Sequence, residues 1–365
     1  MRAAAVLSVI ALHAALPGEL GHGGFLGVDV FFVLSGFLNT TILVGERDQV
    51  GRIRLARFYG RRALRLLPAL FLVLSVMVVV ATLANPGWGP GTLPGIPFVA
   101  LYAANWAQVL GVGLGALGHT WSLAIEEQFY LLWPITLGVM LTARRPRGRL
   151  ALWLVLAALA VCVERALLDI GGASDVRLYV GLDTRADALL LGSALAVWRS
   201  TGWRPRSERA IWILRGGAAG AGALLAVLIV LLRFPSTFLF RGGFTLVAAA
   251  SAVLIWQLVD APWRPTARLL ESGPAVMIGR ISYGLYLWHI PVFATFPLHA
   301  FAGRAIVVGH VLRLALLFAI ALASYHWIER PALRLKQRLS AGAEGVPADL
   351  VPPHRSRSRA PGATR

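Results

Sequence analysis

The sequence predicts an all-α fold, a polytopic membrane helical bundle of about ten transmembrane helices. Of its 365 residues, 57% are hydrophobic and only 14% are charged, and the mean hydropathy is +0.69. Soluble domains carry about 25% charged residues, and disordered chains are poor in hydrophobic residues. The composition therefore excludes a disordered protein and argues against an ordinary soluble enzyme.

Ten apolar runs of roughly membrane length justify this number of helices. They cover residues 3–17, 25–44, 66–84, 121–142, 150–163, 187–198, 210–232, 241–259, 275–297 and 305–328. A helix over the first run reaches only about 22 Å of the roughly 30 Å that a bilayer core requires. We therefore expect a truncated N-terminus, with the natural start upstream of Met1. A tilted first helix buried in the bundle is the alternative, and no signal peptide is indicated.

The basic residues alternate between the connections of these runs. If the N-terminus is cytoplasmic, 27 of the 35 Lys and Arg residues fall in inner segments. The outer connections hold Arg165, Arg177, Arg185, Arg233, Arg241 and Arg304. This split follows the positive-inside rule, which predicts a multi-pass protein of the cell (plasma) membrane with both termini cytoplasmic. The net charge of +18 is thus a topology signal, and no nucleic-acid partner is predicted.

One transmembrane domain is predicted over residues 1–335, followed by a disordered cytoplasmic tail over 336–365. The connection over 85–120 contains no Asp, Glu, Lys or Arg and many Gly and Pro residues. That composition predicts an outer loop with a short re-entrant or interfacial piece. Cys162 is the only cysteine, so neither an intrachain disulfide nor a cysteine-based metal site is expected. We predict no metal site.

Four titratable residues lie in the outer halves of four different predicted spans. From the helical rise, His13, Asp29, Glu126 and His289 are each within about 5 to 10 Å of an outer span end. Titratable side chains inside the membrane usually face the bundle interior and mark function. We therefore predict one polar cavity that contains all four. The alternatives are an interhelical hydrogen bond for His13, a helix cap for Asp29 and ordinary packing for His289.

A second signal is a row of arginines at the inner boundary. Arg57, Arg61 and Arg65 recur every four residues, so one helix face carries three guanidinium groups. Because arginine is suited to bidentate contacts with phosphate, the row predicts a phosphate-bearing cytoplasmic substrate. Anchoring to lipid phosphates is the alternative.

Six sequence blocks occur in one order along the chain. They are Arg2 and His13 separated by ten residues, GVDVFFVLSGF at 27–37, RFYGRRALRLLP at 57–68, WSLAIEEQFYLLWP at 121–134, RADALLLGSALA at 185–196 and GRISYGLYLWHIPVF at 279–293. A single block is a weak signal, whereas six in order with ten spans are specific. Over residues 2–335 the chain thus resembles the acyltransferase 3 family of integral membrane O-acyltransferases.

The resemblance implies transfer of an acyl group, often acetyl, from cytoplasmic acyl-CoA to a hydroxyl of an acceptor. The acceptor would be a carbohydrate, such as a cell-surface polysaccharide, or a glycosylated or polyketide-type metabolite. Acyl-CoA would be a co-substrate, with no bound cofactor. By the resemblance, His13 matches the catalytic histidine, Arg2 its partner arginine, and Glu126 the glutamate of the fourth-span motif. Arg61 and Arg65 match loop arginines, and with Arg2 they are expected to bind the phosphates of coenzyme A.

The expected general base is His13, which would remove the proton of the acceptor hydroxyl. Neutral histidine is the side chain best matched to this task at pH 7. Asp29 or Glu126 is expected to orient the imidazole, as the third member of a catalytic triad does. An acyl-histidine intermediate stays open beside direct attack.

The developing oxyanion needs hydrogen-bond donors, and the candidates are Tyr283, Tyr286, Ser35 and backbone groups near Gly36. His289 follows the two tyrosines at three-residue steps, which predicts either a wall of the substrate cavity or a packing stripe. Ser35 lacks the G-x-S-x-G pattern of a nucleophile elbow. The Ser35–Gly36 pair therefore predicts close helix packing.

A proton-coupled membrane transporter without acyl chemistry is the alternative function, because ten spans with buried charges also suit a carrier. Inverted repeats or paired interrupted helices are typical of such carriers, and the sequence contains neither. The sequence leaves open the acceptor, the length of the acyl chain and the side from which the acceptor enters.

Overall fold

The structure is a computed structural model that describes residues 1–14, 22–84, 86–143, 145–298, 301 and 305–335. Over these ranges the chain consists of helices and connecting turns, without a β-strand. The predicted all-α bundle is therefore confirmed. The tail predicted over 336–365 lies outside the described residues, as does Arg304.

Ten helices of 12 to 25 residues build the described bundle, and each coincides with one apolar run of the sequence. Labelled α1 to α10, they are Arg2–His13, Gly27–Val50, Leu55–Val79, Trp121–Thr142, Arg147–Ile170, Leu182–Arg199, Glu208–Leu231, Phe244–Asp260, Gly273–Thr295 and Ala305–Ser324. The largest difference from the predicted limits is at α3, which begins at Leu55 rather than at residue 66. Its arginine segment joins the helix because Arg, Leu and Ala are strong helix formers.

Six helical segments of the described chain are long and apolar enough to cross a membrane. They are His22–Val50, Leu55–Leu83, Arg147–Ile170, Glu208–Leu231, Leu239–Asp260 and Ala305–Leu335. Helix α1 has only 12 residues, and α4, α6 and α9 are not in this set. The multi-pass helical bundle is thus confirmed, whereas the number of ten spans is not.

Helix α6 lies at the centre of the bundle, packed against α2, α5 and α8. It carries Arg185 and Asp187, whose side chains are fully buried. Arg185 pairs with Asp29 of α2 at 2.8 Å, and Asp187 pairs with Arg165 of α5 at 3.0 Å. A buried charge is tolerated only when it is paired, so these ion pairs fix α6 against its neighbours. Contrary to the prediction, Arg165 and Arg185 are core residues of helices and do not belong to outer connections.

Two glycines bring the backbones of α2 and α6 into contact. A Cβ atom at Gly36 would lie 2.1 Å from the carbonyl oxygen of Leu189, and one at Gly192 would lie 2.1 Å from that of Val33. Only a residue without a side chain permits this approach. The predicted close-packing role of the Ser35–Gly36 pair is therefore confirmed at Gly36.

The connection that precedes α4 contains several short helical pieces. They include Gly89–Thr92, Ile96–Ala100, Ala104–Val109 and Gly115–Thr120. The side chain of Gln128 in α4 donates to the carbonyl oxygen of Tyr102 at 2.7 Å and to Oδ1 of Asn105 at 2.8 Å. These bonds tie the connection to α4, and its last turn positions His119 next to the start of that helix.

Helix α1 packs against α2 and α9. Its buried residues Ala5, Val6, Val9 and Ile10 recur at the spacing of one helix face. Arg2 and His13 therefore stand at opposite ends of one short helix. Eleven residues of helical rise separate them by about 16 Å.

Candidate active site

The first of two cavities in this region, here called the arginine cavity, lies between α1, α2, α3, α4 and α9. Its empty volume is about 1030 Å³. Its polar lining residues are Arg2, Ser35, Asn39, Arg61, Arg62, Arg65, Ser122, Glu126, Ser282, Tyr283 and Tyr286. Four arginines thus face one lining carboxylate, and this excess of positive charge attracts an anionic ligand.

The second cavity, here called the histidine cavity, lies at the opposite end of α1. Its empty volume is about 1380 Å³. Its polar and aromatic lining residues are His13, His22, Phe25, Gln108, His119, Trp121, Tyr179, Arg233, Phe234 and Tyr286. Among the described residues, no Asp or Glu lines it. The cavity thus combines imidazole groups with aromatic walls.

The two cavities have only Val28 and Tyr286 in common among their described lining residues. The Tyr286 hydroxyl donates to the carbonyl oxygen of His119 at 2.8 Å and lies 2.6 Å from Oγ of Ser122. These bonds join α9 to the start of α4 between the two spaces. The prediction of one polar cavity that contains all four residues is wrong, because His13 lines the histidine cavity, Glu126 lines the arginine cavity, and Asp29 and His289 line neither.

His13 is the last residue of α1, and its side chain is exposed to the histidine cavity. Its Nδ1 lies 2.9 Å from the carbonyl oxygen of Val9, one helical turn earlier. A carbonyl oxygen can only accept, so Nδ1 carries the proton and the lone pair of the neutral ring is on Nε2. The backbone of α1 thus fixes a tautomer that can act as a base through Nε2.

Asp29 is not in the same cavity as His13, although the sequence predicts that it is. Its carboxylate is buried against the guanidinium of Arg185 in α6 and lines neither cavity. Arg185 also stacks over the ring of Phe244 at 3.5 Å. The predicted orienting role of Asp29 is thus contradicted, because the buried charge of Arg185 requires this carboxylate as its partner.

Glu126 lines the arginine cavity and not the histidine cavity. Arg62, Ser35 and Arg2 line the same cavity. Glu126 therefore does not orient His13 as the sequence predicts. The group that orients the imidazole is the backbone carbonyl of Val9, while Glu126 lies among the arginines.

Three histidines form a row at the boundary of the histidine cavity. The ring of His289 lies 5.0 Å from that of His13 and 4.8 Å from that of His119, between ring centroids. Nδ1 of His289 donates to the carbonyl oxygen of Tyr286 at 2.6 Å. His289 is fully buried and lines neither cavity. It therefore packs against the ring of His13 and does not form a wall of the substrate cavity.

The three predicted donor-binding arginines, Arg2, Arg61 and Arg65, all line the arginine cavity. Among the described residues, the one ion pair of Arg61 is a long contact of 3.9 Å with Glu46. The neighbouring Arg62, by contrast, is bound on both sides. It forms a bidentate ion pair with Glu127, and it stacks on the ring of Tyr130 at 3.8 Å.

The predicted oxyanion donors are divided between the two spaces. Tyr283 and Ser35 line only the arginine cavity, and the Tyr283 hydroxyl already donates to the carbonyl oxygen of Leu66 at 2.9 Å. Tyr286 alone lines both cavities. Of the three side chains, it is therefore the one at the junction of the two cavities.

Aromatic rings cover one wall of the histidine cavity. Tyr179 lies at their centre, with its centroid 4.6 Å from Trp121, 4.6 Å from Phe234 and 6.2 Å from Phe25. Trp121 and Phe25 are buried, whereas Phe234 is 39% exposed. These residues come from three separate stretches of the chain and from the start of α4, so no local pattern indicates that they meet.

Sequence reasoning also missed His119, Ser122 and Arg62. His119 and Ser122 stand at the junction of the two cavities, and both occur in the segment GHTWSLAIEEQFY. A histidine directly before an apolar run is the signal that could have identified His119. Arg62 lies off the four-residue arginine row, so the row alone does not reveal it.

Among the described residues, no group of three or more His, Cys, Asp or Glu side chains has the arrangement of a metal site.

Comparison with known proteins gives matches over most of the chain. A family model described as an acyltransferase domain, Acyl_transf_3, matches residues 1–327. The peptidoglycan O-acetyltransferase OatA of Listeria monocytogenes is 34% identical over 345 residues, which cover 91% of this chain and 54% of the relative. The O-acetyltransferase OatA of Staphylococcus aureus is 31% identical over 340 residues, which cover 91% of this chain and 56% of the relative. The chain spans about half the length of these relatives. No solved structure matches it.

Proposed function

This chain belongs to the acyltransferase 3 family of membrane acyltransferases, and we propose that it transfers an acyl group from acyl-CoA to a hydroxyl of a carbohydrate. The proposed acyl group is acetyl, because both relatives are named as O-acetyltransferases. The proposed acceptor is a glycan of the cell wall, because one of them is named as a peptidoglycan O-acetyltransferase. The observation that carries the proposal is the division of the site at Tyr286. Arginines line one side, and a histidine with a free Nε2 lines the other.

The arginine cavity is the proposed site of the donor. Coenzyme A carries several phosphate charges, and planar guanidinium groups bind phosphate through paired hydrogen bonds. Arg2, Arg61 and Arg65 line this space, while Arg62 is held by Glu127. The first three are therefore the arginines proposed to hold the phosphates. Glu126 would limit the positive charge of the site when the donor is absent.

The pantetheine arm of the donor is proposed to extend from the arginines toward Tyr286. About 16 Å of helix separates Arg2 from His13, and an extended pantetheine arm is long enough to cover such a distance. The thioester would then reach the junction of the two cavities. This arrangement supports a donor that enters from one side of the membrane and an acceptor that enters from the other.

His13 is the proposed general base. The acceptor oxygen would attack the thioester carbon while its proton moves to Nε2 of His13. The carbon–sulfur bond would then break, and the proton would pass from His13 to the thiolate sulfur, which gives free coenzyme A and the ester. The proposed donors to the oxyanion are the hydroxyl groups of Ser122 and Tyr286 at the junction. Each would first have to rotate out of its present bond, because Tyr286 donates to the carbonyl oxygen of His119 and Ser122 then donates to the oxygen of Tyr286.

The proposed orientation puts both termini and the arginine cavity on the cytoplasmic side of the plasma membrane. The distribution of Lys and Arg supports this orientation, and acyl-CoA is a cytoplasmic compound. The histidine cavity then opens toward the outer face, where a cell-wall glycan would be found. The family membership does not favour the alternative of a proton-coupled transporter.

The test uses the purified protein in lipid nanodiscs, with acetyl-CoA and a soluble peptidoglycan disaccharide. Asparagine at residue 13 retains a donor for the carbonyl of Val9 but has no group equivalent to Nε2. We expect His13→Asn to lower the formation of the acetylated sugar, measured by mass spectrometry, at least about 100-fold. The control is His310→Gln, a change at a buried histidine of α10 that lines neither cavity.

Retention of most activity by His13→Asn would reject His13 as the base. Absence of any acetyl transfer by the wild-type protein, together with acceptor-dependent proton movement across liposomes, would favour the transporter instead.

A further inference from the structure

The aromatic wall of the histidine cavity has no assigned task in the acyl transfer described above. Phe234 leaves 39% of its surface exposed although it is a large apolar residue, and it lines the cavity together with Tyr179. Water against an exposed aromatic face is unfavourable, and a ligand that covers the face recovers this free energy. A partly exposed ring that lines a cavity is therefore a candidate contact for a ligand with an apolar face.

The rings of this wall are held in place before any ligand binds. Tyr179 packs against Trp121 with 4.6 Å between centroids, and Phe25 packs edge-on against Phe234 at 5.6 Å. Trp121 and Phe25 also line the cavity, and both are buried. A pre-ordered surface loses little conformational entropy on binding. The wall thus has the rigidity of a binding platform.

We infer that Tyr179 and Phe234 form the sugar-binding subsite of the histidine cavity, on which a pyranose ring of the acceptor stacks. The inference rests on the proposed function, in which the acceptor hydroxyl meets His13 in this cavity. The C–H groups on one face of a pyranose are weakly positive, and the face of an aromatic ring is negative. Stacking therefore holds the ring while its hydroxyl groups remain available for hydrogen bonds and for reaction.

The polar residues of the same cavity complete the subsite. His22 and Gln108 line it beside the aromatic rings, and the amide nitrogen of Gln108 is fixed by a bond to the carbonyl oxygen of Gly118 at 2.5 Å. That bond uses the amide nitrogen, so the amide oxygen is the group proposed to accept from a sugar hydroxyl. Small-molecule sites typically combine apolar walls with a few placed polar groups of this kind. A purely lipidic ligand would not use them.

Three variants separate stacking from general packing. Phe234→Ala removes the exposed ring, and Tyr179→Ala removes the central one, whereas Tyr179→Phe keeps the ring and loses only the hydroxyl. The matched control is Phe238→Ala, which removes an aromatic ring of the same connection that is 46% exposed and does not line the cavity. Thermal unfolding of each purified variant identifies any that do not fold.

The measurement is steady-state acetyl transfer to the soluble peptidoglycan disaccharide, with the KM of each substrate determined separately. We expect Phe234→Ala and Tyr179→Ala to raise the KM for the disaccharide about tenfold. The KM for acetyl-CoA, and the slow hydrolysis of acetyl-CoA without acceptor, should stay within about twofold. Tyr179→Phe should retain most of the affinity, and Phe238→Ala should resemble the wild type.

A second acceptor distinguishes the sugar from a lipid anchor. The same disaccharide linked to a polyprenyl pyrophosphate is assayed in the same nanodiscs. If the aromatic wall holds the sugar, both acceptors lose affinity in Phe234→Ala by the same factor. A loss confined to the lipid-linked acceptor, or an unchanged KM for the disaccharide, would overturn the inference while leaving the acyltransferase proposal intact. A wild-type protein that acetylates neither acceptor would overturn both.

Discussion

The hydroxyl of Tyr286 donates to the backbone carbonyl oxygen of His119 at 2.8 Å, and this bond lies where the arginine cavity meets the histidine cavity. Tyr286 lines both spaces and is itself buried. In the proposed reaction, a thioester that extends from the arginines toward His13 would have to pass this residue. Tyr286 would then also limit the passage of water, which would hydrolyse the thioester without acylating the acceptor.

Replacing Tyr286 should therefore uncouple cleavage of acetyl-CoA from acetyl transfer to the acceptor. Tyr286→Ala opens the junction, so we expect a severalfold rise in hydrolysis of acetyl-CoA relative to transfer, because water then reaches the thioester. Tyr286→Phe keeps the ring and should uncouple much less. The ratio of released coenzyme A to acetylated disaccharide measures the effect. An unchanged ratio in Tyr286→Ala would show that Tyr286 does not separate the cavities.

The arginine cavity predicts a selective loss of donor affinity. In Arg61→Ala with Arg65→Ala, two charged hydrogen-bond donors to phosphate are removed, each worth about 1.5–3 kcal/mol. We expect the KM for acetyl-CoA to rise at least about tenfold, with the KM for the acceptor nearly unchanged.

The matched control for these arginines is Arg52→Ala with Arg54→Ala. It removes two charges of the same segment at residues that do not line the cavity. If lipid anchoring were the role of the arginines, both double variants would lower activity alike and neither would change the KM for acetyl-CoA selectively.

The ion pair of Asp29 with Arg185 predicts that Asp29 stabilises the fold, although the sequence predicts that it takes part in catalysis. Asp29→Asn leaves the buried guanidinium without a charged partner, which costs about 3–5 kcal/mol. We expect a large drop in thermal stability in detergent, with a near-normal kcat for the protein that stays folded.

Asp183→Asn provides the comparison, because Asp183 pairs with Arg177 at the surface, where an ion pair contributes at most about 1 kcal/mol. Replacing both members of the buried pair, by Asp29→Asn with Arg185→Met, should recover part of the stability. A variant Asp29→Asn with normal stability and a strongly reduced kcat would restore the catalytic assignment.

The contact of α2 with α6 predicts that alanine substitutions at two glycines of α2 change the stability in opposite directions. Gly36→Ala puts a Cβ atom 2.1 Å from the carbonyl oxygen of Leu189, and such overpacking destabilises by about 3 kcal/mol. Gly45→Ala has open space around its Cβ and should stabilise the helix by up to about 1 kcal/mol. Thermal unfolding of the two variants tests the contact, and equal unfolding temperatures would contradict it.

Much of the fold is predictable because membrane helices leave a local signal in the sequence. Each apolar run became a helix, since the bilayer selects apolar residues over a length of one span. The helix limits were less predictable, as at α3, where the arginine segment extends the helix to Leu55. Burial of polar residues within the bundle weakens the apolar signal of α6, which carries Arg185 and Asp187 at the centre of the protein.

The sequence by itself determined the helical bundle, the joining of Arg2 and His13 by one helix, and the row formed by Arg61 and Arg65. These features depend on residues close in sequence, for which helical rise and spacing suffice. The resemblance to a family likewise depends on the order of sequence blocks, which folding does not change.

Only the tertiary structure decided which polar groups meet. Asp29 pairs with Arg185, which lies 156 residues away in the sequence. The ring of His289 lies between the rings of His13 and His119, which are also far apart in the sequence. Such contacts depend on how each helix is rotated and displaced against its neighbours, and apolar patterning does not specify this. For the same physical reason, one predicted polar cavity became two cavities that meet at Tyr286.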